Sequence, residues 1–364
     1  MGLGAGLFVL LELSARAYFF GLAGLIPARI NSVHGLPQTG YTRPSPFPRL
    51  GFELKPKIAG YFKLVPFSTN SRGLRDREYA LEKPENTFRV AVLGSSFALA
   101  GGVEIEGAFY TLLEEQLSGE SWPTRYEFIN FAVGMYHPEQ VLAMLELRAL
   151  DYQPDLILFT TTSLSTPRLV HDPSSQVESR VERATRPVAG APARRSYPIL
   201  QSFFLRLLAE RTGRGPGTPQ LHVGVIENLF MTLVERLSTP GVITEEAVSE
   251  TLRRHPRGRR SAQRARGRGT IIRRLAELSE TTGIPIAVVR LEFDASKRLA
   301  IDHEVEERVR ALGMYYLDTR DAFRGTRASD FWIYELDPHP NRKAHEIFAR
   351  VIATFLRSSG LLSR

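Results

Sequence analysis

From Phe88 onward the chain alternates short apolar runs with segments of helical period, and this alternation restricts the possible folds more than any other feature. FRVAVL, residues 88–93, runs into Gly94-Ser95-Ser96 and has the form of a buried strand feeding a tight turn. Helical spacing follows over Gly107–Leu117, then a strand at Tyr126–Phe131, a helix at Pro138–Leu150 and a strand at Asp155–Thr161. The alternation resumes with a helix at Ile271–Thr282, a strand at Ile284–Leu291, a helix at His303–Leu312, a strand at Met314–Leu317 and a closing helix at Ala344–Leu356. Strands and helices taken in turn, with short connections, predict an α/β protein whose parallel sheet is covered on both faces.

Three segments stand outside that pattern. Residues 28–86 are rich in Pro, Gly, Asn and Ser and read as an extended lead-in with little regular structure. Residues 166–268 form an insertion: a Pro/Ala/Arg-rich stretch near 186–195, apolar helical segments such as 199–208 and 226–237, and an Arg-rich run. A structureless loop of that length does not suit a compact domain, so a helical cap with a basic loop is expected. Residues 1–27 are apolar apart from Glu12 and Arg16, and are about as long as the roughly 20 residues that one bilayer crossing needs. The two charges stand at i,i+4 and can pair, yet a charge at mid-membrane costs about 3 kcal/mol, so the segment is either a membrane anchor or a docking helix.

Charge and composition narrow the chemistry. The formal charge of +8 is concentrated in residues 253–274, a stretch without interleaved aromatics, so a solvated or lipid-facing loop is expected there and nucleic acid is not an expected partner. The chain has no cysteine, which removes disulfides, thiolate metal sites and a cysteine nucleophile. Its eight histidines show no ligand spacing, so no metal and no cofactor is expected.

Two places can carry chemistry. Ser96 lies just past the end of the first strand, at a helix start, where open parallel sheets bind ligands and free N–H groups can hold an oxyanion. The bland alternative is a turn with an N-cap. Asp337-Pro338-His339-Pro340-Asn341 precedes the closing helix. An acid two residues before a histidine can fix its tautomer and make it a base for a serine. The alternative there is an exposed turn that caps the helix through Asn341. His345 falls inside the helix pattern and reads as structural, and His137 reads as an exposed residue at a helix start.

Taken in order, FRVAVLGSSFALAGGV, FINFAVGMYHPEQ, PDLILF and ELDPHPNRKAHEIFA resemble the blocks of the SGNH (GDSL-like) hydrolases, and FSTNSRGLRD, residues 67–76, resembles the segment before the first block in membrane-anchored bacterial members. The resemblance covers about residues 50–165 and 270–355. It implies a three-layer, flavodoxin-like α/β/α sandwich with a mainly parallel sheet over residues 87–165 and 269–358, acting on ester-linked acyl groups of small molecules or carbohydrates without a metal. Ser96 would be the nucleophile, His339 the base and Asp337 its orienter, and the setting would be the bacterial cell envelope, membrane-anchored through residues 1–27 with the catalytic domain extracytoplasmic.

The oxyanion hole implied by the resemblance uses the N–H of Ser96, a glycine N–H from the second block and an asparagine side chain from the third. Here the glycine position falls on Met135, with Gly134 one place earlier, and a methionine is strained there if the site needs φ > 0. The third block reads Thr160-Thr161-Thr162-Ser163 and offers only hydroxyls, of Thr162 or Ser163, in place of the asparagine. Loss of one such donor typically costs about 10²–10³ in rate. The expectation is therefore a serine esterase or O-acyltransferase, with a non-catalytic binder of glycan or a partner protein as its rival.

Overall fold

The structure, a computed structural model, describes residues 2–30, 32, 36–118, 124–163, 165, 270–298, 300–334 and 337–362. The helical cap and Arg-rich loop expected over 166–268 lie outside the described residues. The chain divides into two compact units, Met1–Leu25 with Val188–Gly267, and Ile26–Pro187 with Arg268–Arg364.

In the first unit, α1 (Gly2–Phe20) carries the expected i,i+4 pair, Arg16 Nε donating to Glu12 Oε1 at 2.8 Å. No described helix is long and apolar enough to cross a membrane.

The second unit begins with a short α2 (Pro27–Ile30) and two antiparallel pairs, β1 (Thr42–Pro44) with β2 (Phe52–Leu54) and β3 (Ala59–Phe62) with β4 (Val65–Ser68). The lead-in is thus more regular than its composition suggests. It also belongs to the core, because Phe52, Leu54, Phe62 and Phe67 are buried in the same apolar cluster as the central strands.

The sheet follows in chain order: β5 (Thr87–Leu93), α3 (Ser96–Leu99), α4 (Phe109–Ser118), β6 (Arg125–Asn130), α5 (Pro138–Met144) and β7 (Leu156–Thr161). Then come α6 (Ile271–Thr282), β8 (Ile286–Arg290), α7 (Ala300–Ala311), β9 (Tyr315–Asp318), the hairpin β10 (Trp332–Tyr334) and β11 (Asp337–Pro340), and α8 (Arg342–Ser358). β5 to β9 form one five-stranded sheet in the order β6-β5-β7-β8-β9, parallel at every pairing. Each expected strand and helix of this region is present, with ends displaced by a few residues.

That order starts in the middle and reverses once, so right-handed crossovers put the helix after β5 on one face and those after β6, β7 and β8 on the other. The helix contacts agree: α4 packs on α8, and α5 packs on α6. The result is a three-layer α/β/α sandwich. β5, β7 and β8 carry unbroken apolar runs over 90–93, 156–159 and 286–289 because both of their faces are covered, Val90, Val92, Leu156, Leu158 and Val288 being fully buried. The reversal leaves a crevice beyond the carboxyl ends of β5 and β7, where the loop after each strand diverges.

Candidate active site

The turn after β5 is fixed by close approach. A Cβ on Gly94 would collide with Thr160 Oγ1 of β7 and lie 2.8 Å from Ala98 Cβ, so only glycine fits between the two strand ends. Ser96 opens α3, and its Oγ makes no hydrogen bond among the described residues. The short helix ends at Ala100, held left-handed at φ 58°. Arg75, fully buried, explains how: its guanidinium donates to the carbonyls of Leu99 at 2.6 Å and Ala100 at 2.5 Å, and also to that of Val103. The FSTNSRGLRD segment therefore clasps the serine loop from behind. Asn70 shapes it by accepting from the amides of Arg72 and Leu74, and Asp76 Oδ2 accepts from Asn130 N at 2.8 Å, at the end of β6.

Asp337 and His339 lie on β11, which packs against α3. Asp337 Oδ1 is in a short contact with His339 Nδ1 and accepts from His339 N at 3.1 Å. Phe97, the neighbour of Ser96, meets the His339 ring edge to face with centroids 5.6 Å apart. Ser96 and His339 are thus on adjacent elements, with no hydrogen bond joining them in this form. Asn341 also caps α8 as expected, accepting from Ala344 N at 3.1 Å, so the pairing and the cap coexist in one segment.

A third side chain, from outside the recognisable blocks, completes this cluster. Lys63 Nζ lies 2.7 Å from Asp337 Oδ2 and 2.9 Å from His339 Nδ1. Burial would raise the Asp337 carboxyl, but Lys63 and His339 override it and hold it well below the usual carboxylate range. Burial and the Lys63 charge lower His339 against the opposing pull of Asp337, which keeps the imidazole neutral. Burial likewise lowers Lys63, and Asp337 opposes it.

The second block forms a turn closed by Tyr136 N donating to Val133 O at 3.3 Å. Met135 sits in it at φ 72°, the left-handed conformation that favours glycine, with its side chain 44% exposed. Gly134 lies against Leu36 and Leu99, where a Cβ would come within 3.3 Å of each. The backbone amides of Ser96 and Met135 carry no hydrogen bond among the described residues.

In the third block, Ser163 Oγ is turned to Glu292 Oε2, while Ser165 Oγ ties the amide of Thr162 at 2.9 Å and the hydroxyl of Thr161 at 2.6 Å. The Thr160 hydroxyl fills the space that a side chain on Gly94 would need. A cavity of about 10 Å³, room for about one water molecule, is bordered by Ser95, Phe97, Ala98, Thr160, Thr162 and Ser165.

His345 and His137 have other roles. His345 is fully buried, accepts from Phe109 N at 3.3 Å and stacks on Phe109, and burial lowers it to about 3, so it is a neutral structural residue. His137 starts α5 as expected but is buried, not exposed. No group of three or more His, Asp or Glu suited to a metal ion occurs among the described residues.

No family model and no curated protein matches the chain. Among solved structures, the chain is similar to TesA, at 11% identity with a TM-score of 0.40, over 75% of this chain and 99% of that one. It is also similar to a catalytic mutant of Axe2, an acetylxylan esterase from Geobacillus stearothermophilus, at 14% identity with a TM-score of 0.38, over 75% and 94%. A lipase/acylhydrolase from Enterococcus faecalis matches at 10% identity with a TM-score of 0.39, over 75% and 96%. Values this low assign no activity to this chain, whose fold is defined by its own strand order and layers.

Proposed function

We propose that the protein is a serine-dependent esterase or O-acyltransferase, with Ser96 as nucleophile, His339 as base and Asp337 as orienter. The observation that carries this reading is the Asp337–His339 pair on β11, packed against the helix that Ser96 opens. An acid–histidine pair beside an unengaged serine hydroxyl serves acyl transfer, whereas a helix cap alone needs neither.

In this reading Ser96 Oγ attacks the ester carbonyl as its proton passes to His339 Nε2. The oxyanion forms near the unpaired amides of Ser96 and Met135. Collapse breaks the bond to the alcohol, which leaves with the proton from His339. Water, or a second hydroxyl, then gives a proton to His339 and attacks the acyl-enzyme, and the same proton returns to Ser96 as the acid or new ester departs. Of the two third-block hydroxyls that could stand in for the asparagine, that of Ser163 is taken by Glu292, whereas Thr162 borders the small cavity beside Ser95 and Phe97. Envelope carbohydrate as the acyl carrier rests on the resemblance in sequence.

A second reading, a binder of glycan or protein without turnover, is favoured by one observation: the Ser163 hydroxyl is taken by Glu292 and no asparagine replaces it. A fluorophosphonate probe and p-nitrophenyl acetate, applied to the whole protein with Ser96→Ala and His339→Ala beside it, separate the two. Labelling of wild type alone by the probe, with turnover lost in both variants, supports the esterase. A folded wild type that neither labels nor turns over supports the binder.

A further inference from the structure

The β3–β4 hairpin turns through Lys63 and Leu64, between paired residues Phe62 and Val65. Both central residues have positive φ, 50° and 74°. A two-residue turn of this kind takes Asn-Gly or similar pairs, because a Cβ is unfavourable in the left-handed region. A lysine and a leucine there mean that the surrounding structure holds the tip in place.

The holding groups are identifiable. Ser32 accepts from both tip amides, through its carbonyl from Lys63 N at 2.9 Å and through Oγ from Leu64 N at 2.8 Å. Gly101 and Gly102, just after the serine helix, provide the seat. A Cβ on Gly101 would lie 2.7 Å from the Phe62 ring, and one on Gly102 would lie 2.7 Å from Ile333 and 3.4 Å from Lys63 Cβ. The tip thus delivers one buried ammonium, 9% exposed, to the free oxygen of the carboxylate whose other oxygen contacts His339.

We propose that Lys63 is a positioning residue for the Ser96-dependent reaction: from the hairpin tip its ammonium clamps Asp337 Oδ2, and through that carboxylate it sets the orientation and charge state of His339. The inference rests on the reading of His339 as the base. A carboxylate held at both oxygens cannot swing away from the imidazole, and the nearby positive charge resists protonation of the ring. Among the described residues, Lys63 from the hairpin and Asp337 from β11 are the charged groups that bear on His339, while α3 presents Ser96 and the uncharged Phe97.

The sign follows from the charges. With burial and Lys63 both acting, His339 titrates below its ordinary 6.5; without Lys63 only burial opposes Asp337, and the ring protonates at higher pH. The experiment is the pH profile of kcat and KM for p-nitrophenyl acetate on the full chain. It compares wild type, Lys63→Met, Lys63→Arg, Asp337→Asn and the double variant Lys63→Met/Asp337→Asn, all checked for folding by circular dichroism.

Wild type is expected to keep its acid limb below pH 6.5. Lys63→Met is expected to lose about tenfold in kcat at pH 7 with KM little changed, and to move the limb upward by about one pH unit. Lys63→Arg should restore the limb, and the double variant should be no slower than Asp337→Asn. If Lys63→Met does not fold, Lys63→Gln carries the same readouts. A wild-type limb at or above 6.5, a Lys63→Met profile equal to wild type, or multiplicative losses in the double variant would overturn the inference. A wild type that labels at Ser96 while Lys63 variants change nothing is a failure of this inference alone. A folded wild type that neither labels nor turns over is a failure of the esterase reading, and this inference falls with it.

Discussion

At the residue scale, Met135 is the clearest case of a side chain placed against its own backbone preference. Its φ of 72° costs a non-glycine residue about 1–2 kcal/mol, and its 44% exposed side chain recovers little by burial. Met135→Gly should therefore stabilise the protein, by about 0.5–1 kcal/mol once the greater freedom of unfolded glycine is deducted. Urea denaturation measures this, and a loss of stability would show that the methionine makes contacts which outweigh the strain. The N–H at that position survives the change, so esterase activity, if it uses this amide, should persist. The sequence already marked this position through its offset from a glycine. It could not mark Lys63, whose partner His339 lies 276 residues away and whose turn lacks the Asn-Gly signature.

At the element scale, the meeting of β5 and β7 decides where the serine turn sits. Gly94 and Thr160 occupy each other's space, so Gly94→Ala should destabilise by roughly 1–3 kcal/mol through overpacking. Removing the Thr160 hydroxyl and methyl in Gly94→Ala/Thr160→Ala should return part of that loss, a coupling that a double-mutant cycle reads directly. Strict additivity would mean that the clash is absorbed elsewhere, for instance by Ala98. The strands and helices themselves were legible because burial on both faces demands unbroken apolar runs, and one-sided burial demands helical spacing. The hairpins of the lead-in were not, because their strands are only three or four residues long and carry Pro44 and Pro66. The Asp337–His339 pair was legible because it is local, two residues apart; its strand β11 was not, because Pro338 and Pro340 suggest a turn.

At the scale of the whole molecule, buried cations join elements of the sandwich that the apolar core also holds together. Arg75 clasps the lead-in to the serine loop, Arg89 joins Glu127 across β5 and β6, and Arg290 and Arg320 converge on Asp302 at the start of α7. All four guanidinium side chains are almost completely buried, so each depends on its partners for the solvation that it lost. Asp302 serves two of them, linking α7 to β8 and to the segment after β9. Breaking a buried pair by removing one partner costs about 3–5 kcal/mol, whereas an exposed helix pair contributes at most about 1 kcal/mol. The same helix supplies the control, for Glu304 pairs with Arg308 at 2.8 Å in the open. Asp302→Ala should thus lower the urea midpoint strongly, and Glu304→Ala, two residues on, should leave it nearly unchanged. Equal small losses in both would mean that Asp318 and the Lys297 carbonyl, which also contact Arg320, suffice to solvate the buried charges without Asp302.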